Sequence, residues 1–116
     1  MANQETVLQN QIRLAIAAPN VKMFRNNVGA LTTNDGRRVN FGLCAGSSDL
    51  IGFTSKTITA DDVGKTVAIF TAIEVKTPTG KVSPQQKAFI DVVNRSGGIG
   101  GVVRSVDDAT SLLTSE

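Results

Sequence analysis

The chain has 116 residues, of which 41% are apolar and 19% charged, and its mean hydropathy is +0.02. This composition suits one folded domain over residues 1–116 and excludes a chain too polar to bury a core. The net charge of +2 is compatible with a nucleic-acid partner without demanding one, and the absence of histidine excludes Cys/His zinc sites and any histidine base.

No apolar run reaches the roughly 18 to 20 residues that cross a bilayer, so no membrane association is expected. The opening segment MANQETVLQNQ is polar and is not a secretory signal. Cys44 is the single cysteine, which rules out an internal disulfide and fits a reducing, cytoplasmic setting. Chemistry must therefore come from carboxylates, lysine, arginine, hydroxyls or amides. A metal held by such oxygens would be a hard cation such as Mg2+ or Mn2+.

In chain order, ETVLQNQIRLAIAAP places Leu8, Ile12 and Ile16 at helical spacing, and Pro19 stops it, which predicts a helix over about 4–18. VKMFRNNVG reads as a strand ended by Gly29. LTTNDGRRVNF carries an Asn-Asp-Gly turn signal and reads as a hairpin or an exposed loop. GLCAGSSDLIGF sets glycines around an apolar strand that starts near Asp49. TSKTITADDVGK is a polar connection with one helical turn closed by Gly64. KTVAIFTAIEVKT is the most β-prone segment of the chain, with Ile69, Ile73 and Val75 on one face and Phe70, Ala72, Glu74 and Lys76 on the other. SPQQKAFIDVVNRSGG is a helix with Ser83 as N-cap, Pro84 in its first turn and Gln86 completing a capping box; Gly97 and Gly98 end it. GIGGVVRSV reads as a strand, and SVDDATSLLTSE as a terminal helix capped by Ser105 with Asp108. The order α-β-β-β-α-β-α, with an extra hairpin as an option, describes an α/β fold. It has a mixed central β-sheet flanked by helices, and a parallel βαβ unit runs from the Glu74 strand to the Val102 strand.

The segment IEVK ends an apolar strand with an acid and a base on one face, about 6.5 to 7 Å apart along the backbone. A buried unpaired charge is costly, so Glu74 and Lys76 must be solvated, paired or bound to something. Alone, Glu-x-Lys reads first as a surface ion pair, a pattern that chance supplies often. Asp49 adds a second carboxylate at the start of another apolar strand, beside the small residues Cys44 to Ser48, which let a large ligand approach the backbone. An aspartate satisfying its own turn is the alternative there. Were the two strands neighbours, Asp49 and Glu74 would converge on one cation with Lys76 beside it, an arrangement suited to phosphodiester hydrolysis.

An aspartate, a gap and then Glu-x-Lys at a strand end resembles the PD-(D/E)XK nuclease superfamily, whose core is restriction-endonuclease-like. GSSDLIGF and AIEVKTPTGKVSPQQKAF resemble more closely its virus-type replication-repair branch, the VRR-NUC domain, over roughly Glu5 to Val106. The resemblance implies that Asp49, Glu74 and the Val75 carbonyl bind Mg2+ or Mn2+ and that Lys76 is the catalytic lysine. It also implies that Gln86 faces the active site and that the first-helix Glu5 lies near the metal. Gln86 is equally a capping residue, and Glu5 equally a favourable charge at a helix N-terminus. One departure is Ser48, which stands where the superfamily name has proline.

Stand-alone members are small and often viral, such as those of phages, and are similar in fold to Holliday-junction resolvases. This implies a homodimeric DNA endonuclease, selective for branched DNA such as four-way junctions, in the host cytoplasm, with no organic cofactor. Candidate phosphate contacts are Arg25, Arg37, Arg38, Lys56, Lys81 and Lys87, each of which is also an ordinary surface charge. The rival readings are a non-catalytic DNA-binding module on the same fold and a viral accessory protein. A base-stacking single-strand binder is disfavoured, because the chain has neither Trp nor Tyr.

Overall fold

A computed structural model of the chain describes residues 3–114. The elements run α1 (Gln4–Ala15), β1 (Val21–Arg25), β2 (Gly29–Thr32), β3 (Arg38–Phe41) and β4 (Leu50–Thr54). A 3-10 turn (Ala60–Asp62) follows, then β5 (Thr71–Val75), α2 (Pro84–Arg95), β6 (Ile99–Val103) and α3 (Val106–Thr114). The chain divides into two compact units, Met1–Thr54 and Ser55–Glu116. The fold class is the expected α/β one. Its strands pair as three two-stranded ladders rather than as one continuous sheet: β1 with β4 and β2 with β3, both antiparallel, and β5 with β6, parallel. The β2–β3 hairpin and the parallel β5–β6 pair are the expected ones; the β1–β4 pair was not legible, because periodicity marks a strand but carries no information about a distant partner.

In the first unit, Asn3 caps α1 by accepting the Thr6 N–H at 2.7 Å, and Glu5 lies in the first turn. The helix ends at Ala15, three residues before the expected limit. Pro19 drives Ala18 out of helical geometry, and Ala18 instead makes a β-bridge to Val21. The strand expected to reach Gly29 stops at Arg25, and Gly29 opens the β2–β3 hairpin. The hairpin closes at Thr33 to Arg37, whose backbone groups meet at 2.7 Å, with Gly36 at a φ of 87°. Gly42 is required for two reasons. Its φ is 86°, and a Cβ there would run into the Asn27 carbonyl and stand 2.6 Å from the Val28 Cα.

In the second unit, β5 covers only Thr71–Val75 of the long β-prone segment, because β6 supplies five partners, starting with Ile99 opposite Thr71. The crossover between them is α2, with the capping box as expected. The Gln86 N–H donates to Ser83 Oγ at 3.1 Å, and the Ser83 N–H donates to Gln86 Oε1 at 2.9 Å. Asn94 pins the C-terminal end of α2 to β6 by pairing with both backbone groups of Gly100, at 2.8 and 3.0 Å. Val93 and Val103 are the buried apolar side chains among the described residues. At α3, Ser105 Oγ accepts the Asp108 N–H at 3.0 Å, as expected; Ser115 and Glu116, also assigned to that helix, lie outside the described residues.

The connection before β5 is tied down by Asp62, whose side chain is buried. Its carboxylate accepts from Lys56 Nζ at 2.8 Å, Lys65 Nζ at 3.2 Å and the Thr59 N–H at 3.0 Å. The Lys56 ammonium, then the Thr59 amide, then Lys65 hold its pKa below the ordinary 3.8. A depressed folded-state value means that the stabilisation is fully present above the ordinary value and is lost as pH falls through the folded one. Urea unfolding followed down to about pH 2 should therefore show an acid-driven loss of stability in the wild type that is weaker in Asp62→Asn. Equal acid sensitivity of the two proteins would contradict this.

Candidate active site

The clearest part of the site lies in the second unit. The Lys76 N–H donates to the Val103 carbonyl at 3.0 Å, which extends the parallel ladder one residue past β5. In a parallel ladder alternate residues bond to the same neighbour. Residues 72, 74 and 76 thus direct their backbone groups toward β6, and Val75 directs its carbonyl away from it. That oxygen takes no part in the β5–β6 ladder, as a metal-ligand role requires.

The Glu74 side chain leaves the strand on the face covered by α2. There a cleft of about 320 Å3 is lined by Ala72, Ile73, Glu74, Gln85, Gln86, Phe89 and Ile90. At about 30 Å3 per liquid water, this holds a hydrated cation or a phosphate group. Glu74 and Gln86, singled out separately in the sequence, meet in this one cleft. Gln86 lines it while its Oε1 caps the helix, so its capping and site-facing readings coexist. The apolar Phe89 and Ile90 are the wall against which a carboxylate and a carboxamide are presented. Glu74 and Lys76 are both half-buried, and neither takes part in an ion pair among the described residues.

In the first unit, Asp49 is exposed and immediately precedes β4. Its carbonyl accepts the Asn26 N–H at 2.8 Å, one step beyond the β1–β4 ladder. The residue that organises this loop is Asn26, which the sequence reading passed over. Its Nδ2 donates to Ser47 Oγ at 2.7 Å and to the Ser48 carbonyl at 2.9 Å, and its Oδ1 accepts the Leu43 N–H at 2.9 Å. One amide thus gathers three points of the 43–48 loop, at Leu43, Ser47 and Ser48, and fixes the backbone that leads into Asp49. The signal was faint: an asparagine at a strand end, with the donor and acceptor inventory to bridge a loop of small residues. Glu5 is exposed on the first turn of α1.

The basic candidates fall in different settings. Arg25 ends β1 opposite Leu50, and Arg38 opens β3. Arg37 pairs with Asp35 at 3.2 Å on the hairpin tip. Lys56 serves Asp62, and Lys81 and Lys87 are exposed in the loop before α2 and on α2. Within neither unit, among the described residues, do three carboxylate or thiol groups cluster as a self-contained metal cage. The available donors are oxygens in ones and twos, which suits a hard cation that keeps several waters.

The model of one protein family, the VRR-NUC domain, matches residues 6–107. The chain belongs to the VRR-NUC family. The match covers most of the sequence, including DLIGF, IEVK and the capped α2 helix, and it indicates a nuclease-type function with DNA as the partner. No curated protein and no solved structure matched the chain. None of the described helices of this VRR-NUC protein is long and apolar enough to cross a membrane.

Proposed function

We propose that this VRR-NUC chain acts over residues 1–116 as a single metal-dependent DNA endonuclease domain. It works as a homodimer in the cytoplasm and prefers branched DNA such as four-way junctions. The observation that carries the reading is the meeting of Glu74 and Gln86 in one cleft beside a Val75 carbonyl that the ladder leaves free.

The donor chemistry fits Mg2+ or Mn2+. Glu74 and the Val75 carbonyl would hold the cation, with Asp49 assigned as the second carboxylate and Glu5 as an accessory one on the sequence resemblance. When bound, such a cation neutralises non-bridging phosphate oxygens and lowers the pKa of a bound water. The chain's own groups supply the rest. The Lys76 ammonium donates to a phosphate oxygen or to the attacking water and offsets charge that develops on the phosphate. The Gln86 Nε2, on the free end of a carboxamide fixed by its cap, is the second donor facing the cleft. Arg25, Arg37, Arg38, Lys81 and Lys87, with Lys56 as far as Asp62 releases it, supply phosphate contacts along the duplex.

The test is cleavage of labelled linear, flapped and four-way DNA with Mg2+ or Mn2+, run alongside gel filtration. The reading expects paired, symmetric incisions in the four-way substrate and elution at dimer mass. Equal cutting of linear duplex by a monomer would remove the junction and dimer parts and leave the nuclease. Binding to DNA without cleavage in either metal would favour the non-catalytic module instead.

A further inference from the structure

The turn that follows Lys76 is held from the neighbouring strand. Thr77–Gly80 closes on itself through the Gly80 N–H and the Thr77 carbonyl at 3.1 Å. Arg104 Nη1 donates to two carbonyls of the same turn, Thr77 at 2.6 Å and Gly80 at 2.8 Å. Because Val75 lies opposite Val103 and the Lys76 N–H bonds to the Val103 carbonyl, Arg104 is the residue opposite Lys76. Paired positions of a parallel ladder share a face.

Arg104 is itself fixed. Its N–H donates to Asp108 Oδ2 at 2.9 Å, and the Asp108 N–H is held by Ser105 Oγ at 3.0 Å. A chain of support therefore runs from the cap of α3 through the Arg104 backbone and guanidinium to the turn, and so to Lys76. One nitrogen with two hydrogens matches two carbonyls at the ends of a four-residue turn, a task suited to the planar, permanently charged guanidinium.

We infer that Arg104 is a positioning residue for Lys76. By clamping Thr77–Gly80 it fixes the direction in which the backbone leaves the sheet, and with it the orientation of the lysine beside the Glu74 cleft. The inference rests on the proposed nuclease reading for its catalytic consequence, but not for the clamp itself. The experiment has two arms, applied to the wild type, Arg104→Ala and Arg104→Lys. One arm follows amide hydrogen exchange of Lys76 and Gly80 in labelled protein. The other separates kcat from KM for Mg2+-dependent DNA cleavage.

Arg104→Ala should speed exchange at both amides by at least about tenfold, as loss of charged hydrogen bonds requires, and leave α2 amides unchanged. It should lower kcat by about 10- to 100-fold with KM little altered, and Arg104→Lys should recover part of each effect. Unchanged exchange in Arg104→Ala overturns the clamp. Faster exchange with unchanged kcat, or a rise in KM alone as for a simple phosphate contact, overturns the positioning role. If the wild type fails to cleave, the nuclease reading falls, and the exchange arm still decides the clamp.

Discussion

Glu74→Gln is expected to lower metal-dependent cleavage by at least about 100-fold, with the unfolding midpoint of the protein unchanged. The substitution keeps the size of the side chain and its place in the cleft beside Gln86, Phe89 and Ile90, and removes only the charge. A glutamate that served as half of a surface ion pair would behave differently, since losing such a pair changes little. Neither Glu74 nor Lys76 forms an ion pair among the described residues, so the surface-pair reading of Glu-x-Lys loses its main support. Single-turnover cleavage rates for wild type and variant check the prediction; a loss below about threefold would remove Glu74 from the site.

The largest expected loss of stability is at Val93. Its side chain is 1% exposed, the lowest value among the described residues. It lies where α2 comes close to the chain around β6, because positions 98 and 100 carry no side chain. A Cβ on Gly98 would stand 2.8 Å from Val93 Cγ1, and one on Gly100 would stand 3.2 Å from the Ile90 carbonyl. Val93→Ala leaves a cavity that the pinned backbone, held by Asn94 on Gly100, cannot easily collapse. The expected cost is about 2 kcal/mol, read as a lowered urea midpoint. The variant should still cleave DNA under conditions where it is folded, which separates this residue from Glu74. An unaltered midpoint would show that α2 and β6 do not form the structural core of their unit.

What the sequence made legible was local. The box of Ser83 and Gln86, the turn at Gly36, the capping of α3 by Ser105 and the alternation that sets Glu74 in β5 and Lys76 one residue past its end depend on residues a few positions apart, and all are present. What it left unread depends on distant partners. Asn26 reaches 17 to 22 residues along the chain to organise the approach to Asp49, and Arg104 reaches 24 to 27 residues back to the turn after Lys76. Asp62 lies in what read only as a polar connection with one helical turn, and its burial follows from two lysines and an amide that composition alone does not bring together. The β1–β4 pair, which joins segments 25 or more residues apart, went unread for the same reason, whereas the β2–β3 hairpin and the parallel β5–β6 unit were legible. In the β-prone run before Thr71, the Phe70 carbonyl accepts the Ile99 N–H at 2.9 Å, and the strand does not extend further back, whatever the propensity of those residues.

The most direct test of the account is a metal-exchange cleavage assay on a labelled four-way junction. Protein freed of metal with EDTA should be inert, regain incision on addition of Mg2+ or Mn2+, and stop again on chelation. Cleavage that continues undiminished in excess EDTA would contradict the assignment of Glu74, the Val75 carbonyl and Asp49 to a catalytic cation.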